Sequence, residues 1–414
     1  MLFKWPSSHD GKPNRILTVL DIGSSKIVCL IARLNYCGNA SQLYARSYKA
    51  EILGYGIRRS SGIKSGLIMD IMQAEKAIRL AVAEAESMAK VNVDSIIVTI
   101  NAGRLSGKAV EAQIPLSGEI IGKKCLHELL QQVVVQSYEE SRLPIHSLPI
   151  YYKLDDHIVD SPLAMIGKSL AVNSHVLSVD AAALQNLELC LSRAMLDVEA
   201  VVCTPLASSL AVLLDNEAEL GAVCLDIGAG TTSFSVYNKK RLVYAGSVPV
   251  GGDHITYDIA RGLKIDYDSA DALKKQQGLV NSSAIYEGLA GIITARAEEI
   301  LYMVKEQLLI ANYTKMADKS LVLTGGGAQL PGLASLAQRI FAMQTRLGRP
   351  LGVSRLPSFA KTSAYAAAVG LLVYPQYVGF NDIYSLKFSD NNGRANSKLK
   401  QLGRWGRNFM KMLS

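Results

Sequence analysis

Two short stretches, far apart in the chain, carry residue types that can grip a polyphosphate. ILTVLDIGSSKIVCL at 16–30 and GAVCLDIGAGTTSF at 221–234 align so that Asp21 and Gly23 fall on Asp226 and Gly228. Each is a β-branched, apolar run ending in Asp, then Gly with small hydroxylated residues, then alternation again: strand, tight turn, strand. Gly23, Gly228 and Gly230 let backbone come close to an anion, and turn amides with Ser24, Ser25, Thr231 and Thr232 offer hydrogens to phosphate oxygens. Asp21 and Asp226 at the strand ends can hold a magnesium ion through water, and Lys26 adds a point charge. One such hairpin would be an ordinary turn; two, one in each half, predict duplicated domains that face each other as a clamp. A third cluster, Gly325, Gly326 and Gly327, follows an apolar strand at 321–324. It precedes a helix predicted to carry Pro331 in its first turn and to end near Phe341. Bare glycines allow a base or ribose to lie flat on the backbone. No GxxxxGK[ST] occurs, so a Walker-type site is not the explanation.

The elements that position these residues belong to a well-packed chain of 414 residues, 49% hydrophobic and 19% charged. That excludes disorder for most of it and implies about two to four folded units. The apolar stretch at 365–374 is too short for a membrane span, which needs about 20 residues, and predicts a core helix. The N-terminus lacks the apolar segment of a secretory signal, so the expected location is the cytoplasm. Six cysteines never form CxxC and predict buried free thiols. His127, His146, His157, His175 and His254 accompany no nucleophile motif and read as surface or packed histidines. Of the net charge of +8, the residues after Asp390 supply +6, leaving +2 for the first 390. A nearly neutral body and no aromatic stacking platform argue against nucleic acid as a partner.

The basic end has its own pattern. FSDNNGRANS at 388–397 reads as a linker, and KLKQLGRWGRNFMKMLS at 398–414 follows. At about 100° per residue, Leu399, Leu402, Trp405, Phe409, Met412 and Leu413 share one face, and Lys400, Arg404, Arg407 and Lys411 share another. An apolar face with Trp and Phe beside an all-cationic one predicts an amphipathic helix lying in an anionic membrane interface. Each basic residue there contributes on the order of 1 kcal/mol.

Hairpin, second hairpin and triple-glycine turn, in that order, resemble the phosphate 1, phosphate 2 and adenosine motifs of the actin, Hsp70 and sugar-kinase superfamily. Within it, the chain resembles the FtsA family of bacterial cell-division proteins. GIKSGLIMDI at 62–71 with a helix over 71–89 is similar to the family's first connecting element. The run 182–213 is similar to its interdomain helix and strand, and 251–263 with 268–278 to the segment that brings the second lobe onto the nucleotide. The resemblance implies an α/β, two-lobed actin-like ATPase fold with ATP and Mg2+ in the cleft. An inserted α+β subdomain (1C) would replace actin's 1B, and a C-terminal amphipathic helix would bind membrane. On that analogy Gly251, Gly252 and Lys274 approach the nucleotide, with Gly325 to Gly327 near the adenosine. Lobe 1 would take 14–92, 169–204 and 357–387; lobe 2, 205–240, 241–310 (2B) and 311–356. The insert takes 93–168, with strands at 95–100, 109–114 and 148–154 and a helix over roughly 122–141. A linker at 388–397 and the membrane helix at 398–414 complete the division. The implied function is a polymerising scaffold, at most a weak ATPase. It tethers FtsZ filaments to the cytoplasmic face of the inner membrane at the division site, with the FtsZ C-terminal tail, itself, anionic lipid and other division proteins as partners.

Two departures from the family pattern qualify that. Ala229 interrupts the glycines of phosphate 2 and Ser233 stands where an acid is usual, which implies weaker metal binding and slower turnover. The stretch 278–296 is short, so the FtsZ dock would be remodelled, although Arg296 still resembles a contact residue. The alternatives are a sugar-kinase-like phosphotransferase, for which no carboxylate base between the lobes is evident, and a pilus-assembly relative, which needs no lipid-binding tail.

Overall fold

A computed structural model describes residues 14–37, 48–101, 105–279, 288–313, 319–381 and 384–385. Both halves of the chain build a sheet on one plan. In the first, strand Asn14–Ile22 pairs antiparallel with Lys26–Tyr36 and parallel with Ser95–Ile100, while Tyr48–Arg59 and Asp197–Cys203 flank them. In the second, Ala222–Ile227 pairs antiparallel with Thr232–Asn238 and parallel with Ser320–Thr324, with Arg241–Val248 and Gln344–Leu347 in the flanking places. The duplicated hairpins therefore sit in duplicated sheets. Every residue of Ala222–Ile227 is buried, as expected of a central strand covered on both faces.

The seam between the sheets is a helix. Thr204–Val212, with Pro205 in its first turn, is buried at every position and touches strands of both sheets. Helix Ala366–Asn381 packs on it at Gly370, where a Cβ would fall 1.7 Å from the Ala207 carbonyl oxygen. The apolar stretch read as a core helix is this one: Ala366 to Tyr374 are buried. Helix Ile71–Ala89 has the expected bounds. Asp70 caps it by accepting from the Gln73 amide at 3.0 Å, and Ala74, Ala77, Ile78, Ala81, Val82 and Ala85 form its buried stripe.

Between the fourth and fifth strands of the first sheet an antiparallel sheet is inserted, made of Ser106–Pro115, Arg142–Leu154 and Ser169–Asp180. His157–Val159 and Tyr384–Ser385 pair along the free edge of Arg142–Leu154, and Leu129, Leu130 and Val133 of helix Lys123–Gln136 join Val110, Ala112, Val172 and Val176 in a core of their own. Three expectations from the sequence are corrected in this domain. The helix stops at Gln136 and not near 141: the Ser137 hydroxyl folds back on the Val134 carbonyl oxygen at 2.8 Å to cap it, and Arg142, whose guanidinium bonds the Ser178 carbonyl oxygen at 2.7 Å, already starts the next strand. That strand begins six residues earlier than expected; Pro144 and Pro149, which break the pattern in sequence, both sit where the register with Ser169–Asp180 shifts, so no ladder donor is missed. And Ser169–Asp180, expected in the return to lobe 1, pairs along its length within the inserted sheet. In lobe 2, Pro331 precedes the helix instead of entering it: Gly332, at φ 86°, caps Leu333–Phe341.

Candidate functional site

The two hairpins make the same turn. Gly23 N–H donates to the Lys26 carbonyl oxygen at 3.0 Å, and Gly228 N–H to the Thr231 carbonyl oxygen at 2.9 Å. The strand pairs close at Ile22 with Ile27 and at Ile227 with Thr232. Ser60, one residue past the end of Tyr48–Arg59, holds the first turn, its hydroxyl donating to the Gly23 carbonyl oxygen at 2.8 Å. The turns also meet: a Cβ on Gly230 would lie 2.7 Å from Ser24 Oγ and 2.9 Å from Ser65 Cα. Both jaws line one cavity of about 1310 Å³.

Asp21 and Asp226 stand at the floor. Thr99 donates to Asp21 Oδ1 at 2.7 Å and itself accepts from the Ile22 amide at 3.1 Å. The Ser208 hydroxyl, from the seam helix, donates to Asp226 Oδ2. Burial pushes both carboxyls up, Asp226 to about 6, against the opposing pull of these hydrogen bonds and of Lys26. Burial likewise lowers the Lys26 ammonium, which the two aspartates partly restore; its Nζ lies 4.4 Å from the Tyr365 ring centroid. Two desolvated carboxylates with so few donors are under-neutralised, and such a pair suits a cation that keeps most of its water. Among the described residues no group of three or more His, Cys, Asp or Glu could hold a metal directly.

Most of the sequence-read residues converge on this cavity. Asp21, Gly23, Ser24, Ser25, Lys26, Asp226, Gly228, Gly230, Thr231, Gly252, Lys274, Gly325, Gly326 and Gly327 line it. Two stand behind the wall. Thr232 is fully buried and spends its hydroxyl on the Val250 carbonyl oxygen at 2.8 Å. Gly251 lies against the second turn, where a Cβ would fall 2.6 Å from the Gly228 and Ala229 carbonyl oxygens. The Lys274 ammonium is held by the Gly252 carbonyl oxygen at 3.1 Å, Thr256 and Asp271, so its first role is to join two helices, Gly252–Leu263 and Tyr267–Gln277. Of the three glycines, Gly325, at φ 85°, and Gly327 abut Asp226 and Ile227, where a Cβ would come within 2.3 and 2.5 Å; only Gly326 presents an open face. Ser233 pairs with Asp226 in the hairpin and is fully buried, so an acid there would add a second desolvated charge beside the first.

Sequence reasoning missed the supports: Thr99, Ser208 and Asn101, whose Nδ2 donates to Thr231 Oγ1 at 2.6 Å across the lobes. Arg296 lies outside the cavity, paired with Asp258 at 2.5 and 3.1 Å and with Glu299. Cys29, Cys190, Cys203 and Cys224 are buried and free, whereas Cys37 is exposed. His146 and His175 are packed histidines that accept backbone hydrogens at Nε2, from Cys203 at 3.1 Å and Ala245 at 3.0 Å. The amphipathic segment 398–414 lies outside the described residues; among those described, no helix is long and apolar enough to cross a membrane.

Comparison with known proteins bears on the whole chain. Residues 223–370 match the family model for the cell division protein FtsA, and 102–178 the model for the SHS2 domain inserted in FtsA. The cell division protein FtsA of Rhizobium meliloti (strain 1021) is 39% identical over 420 residues, covering 95% of both chains. A PilM–PilN type IV pilus biogenesis complex superposes with a TM-score of 0.65 at 17% identity, over 88% of this chain and 99% of that one. MreB5 of Spiroplasma citri bound to AMPPNP follows with 0.51 at 14% identity, over 88% and 97%. The two solved structures establish an actin-like fold. With the inserted domain in place and this identity over nearly its full length, the chain belongs to the FtsA family of cell division proteins.

Proposed function

We propose that the chain is an ATP-binding scaffold of cell division that polymerises and tethers FtsZ filaments to the cytoplasmic face of the inner membrane through residues 398–414. The observation that carries the nucleotide part is the pair of like turns, each backed by a buried aspartate, on opposite walls of one cavity. The MreB5 relative was seen bound to AMPPNP. In this reading the amides and hydroxyls of both turns bind the phosphates, Lys26 contributes charge from lobe 1, and Gly326 leaves room for a flat group. Magnesium, when bound, would neutralise the phosphates opposite Asp21 and Asp226, which are placed to hold its water shell. A ligand that touches both jaws binds the closed arrangement better than an open one, and so selects it. Hydrolysis is at most slow, since Ser233 and Ala229 leave few charged groups beside the turn. Arg296 remains a candidate contact for the FtsZ tail, provided a partner carboxylate displaces Asp258.

The test is thermal stabilisation by ATP with magnesium. Saturation a hundredfold above Kd raises stability by about 2.7 kcal/mol. Asp226→Ala, and the milder Asp226→Asn as a check on folding, should erase most of that rise. Full stabilisation of both variants would remove Asp226 from the site.

A further inference from the structure

The cavity holds cations that the proposed contacts leave idle. Lys26, Arg59, Lys64, Lys274 and Lys275 line it, with as many aspartates, so the empty cleft is close to neutral and a polyphosphate depends on cations whose partners are loose. Three are committed. The two floor aspartates attract the buried Lys26, and Asp271 takes both Lys274, at 2.8 Å, and Lys275, at 2.5 Å. Arg59 and Lys64, both from lobe 1, are not. Arg59 pairs with Asp268 at 3.9 Å across the mouth of the cleft, the two side chains being 82 and 83% exposed; an ion pair that long and that open to water is worth little. Lys64 is exposed, and no ion pair among the described residues uses it.

Both are carried to the phosphate end of the cleft. Arg59 closes strand Tyr48–Arg59 directly opposite Lys26 in the antiparallel ladder. The two side chains therefore share one face of the sheet, and like charges in that relation repel until an anion comes between them. The next residue, Ser60, is bonded to the first turn, its amide donating to the Ser25 carbonyl oxygen at 3.0 Å. Lys64 stands in a small hairpin, Ile63–Lys64 with Leu67–Ile68. Its turn residues Ser65 and Gly66 are both left-handed, at φ 48° and 75°, as a tight two-residue turn requires. That turn lies against both jaws: the Gly66 amide donates to Ser24 Oγ at 3.1 Å, and Ser65 Cα borders Gly230. The open face of Gly326, where a base would lie, has Ala364 as its neighbour instead.

We infer that Arg59 and Lys64 form a subsite for the outermost phosphate of the nucleotide, and that Arg59 leaves Asp268 to occupy it. A guanidinium gains by the exchange, since a phosphate accepts two parallel hydrogen bonds from it where Asp268 gives one distant contact. Asp268 is then a competitor for Arg59, and the two lobes trade a direct ion pair for a shared ligand. The inference rests on the nucleotide reading of the cleft and deepens it: these two side chains tell a triphosphate from a diphosphate.

The test is the affinity of the full chain for ATP and for ADP, each with magnesium, by titration calorimetry. Arg59→Gln should weaken ATP by about tenfold, the worth of one charge-assisted hydrogen bond, and leave ADP unchanged; Lys64→Gln should act in the same direction. Asp268→Asn removes the competitor, so it should tighten ATP by about two- to fivefold and again leave ADP alone. All three side chains are exposed, so an unchanged urea midpoint checks that the fold is intact. If the Arg59–Asp268 pair were only a latch between the lobes, Arg59→Gln and Asp268→Asn would shift both nucleotides alike and in one direction, and that result overturns the inference. Equal losses for ATP and ADP in Arg59→Gln overturn it as well, while leaving nucleotide binding by the cleft intact. A parent that binds neither nucleotide overturns the nucleotide reading, and this inference with it.

Discussion

Gly230 is a point of close approach between the two lobes, and it limits what the cleft tolerates. Its missing side chain is the space occupied by Ser24 Oγ and Ser65 Cα. A methyl there has no flexible neighbour to displace on the Ser65 side, so Gly230→Ala should cost about 1–3 kcal/mol through overpacking and push the turns apart. ATP-dependent stabilisation should fall further than urea stability does. Gly291 is the contrast: it lies in helix Leu289–Ile310 with nothing within 4 Å of where a methyl would sit, so Gly291→Ala should be neutral or stabilising by roughly 0.5–1 kcal/mol. A variant at 230 that behaves like the one at 291 would show that the jaws do not touch in solution. Asp21 and Asp226 were legible in the sequence because each closes an apolar run before a glycine turn. Thr99, Asn101 and Ser208 were not, because ordinary strand and helix residues become supports only when distant segments pack; Asn101 and Thr231 are 130 positions apart.

At the scale of elements, the inserted sheet is fixed to both lobes by two buried imidazoles. His175 accepts from Ala245 in the outer strand of lobe 2, and Gly107 leaves room for the contact, since a Cβ there would come 2.5 Å from the His175 ring. An Nε2 that accepts cannot carry a proton, and burial lowers the imidazole to about 4. The folded value lies below the unfolded one near 6.5, so this group's contribution is intact above pH 6.5 and is lost as pH falls toward 4. The full loss is roughly 3 kcal/mol. Urea midpoints between pH 7 and 4.5 should drop more steeply for the parent than for His175→Gln, which keeps an acceptor without titrating; parallel curves would contradict the assignment. The hairpins were readable from alternation and turn chemistry. The first half of Arg142–Leu154 was not, because Pro144 is a strand breaker in sequence and only a register shift in the folded sheet accommodates it.

For the whole molecule, lobe duplication and the inserted domain were legible because the same Asp-Ile-Gly pattern recurs with long, well-patterned segments between. The proposed lipid binding belongs to this scale as well. Removing residues 398–414 takes away five cations and the apolar stripe, worth about 1 kcal/mol per cation at an anionic surface before any insertion. Co-sedimentation with anionic vesicles should fall by orders of magnitude in the truncated chain, and equal pelleting of both forms would refute anchoring by this segment. The paired histidines also restrict how the molecule can breathe. His146 takes its hydrogen from Cys203, at the root of the seam helix, and His175 takes its own from Ala245, in the opposite lobe. Separating the lobes on that flank would strand a backbone N–H without an acceptor, so any gaping of the nucleotide cleft must swing about the inserted domain as a door swings on its hinge pins.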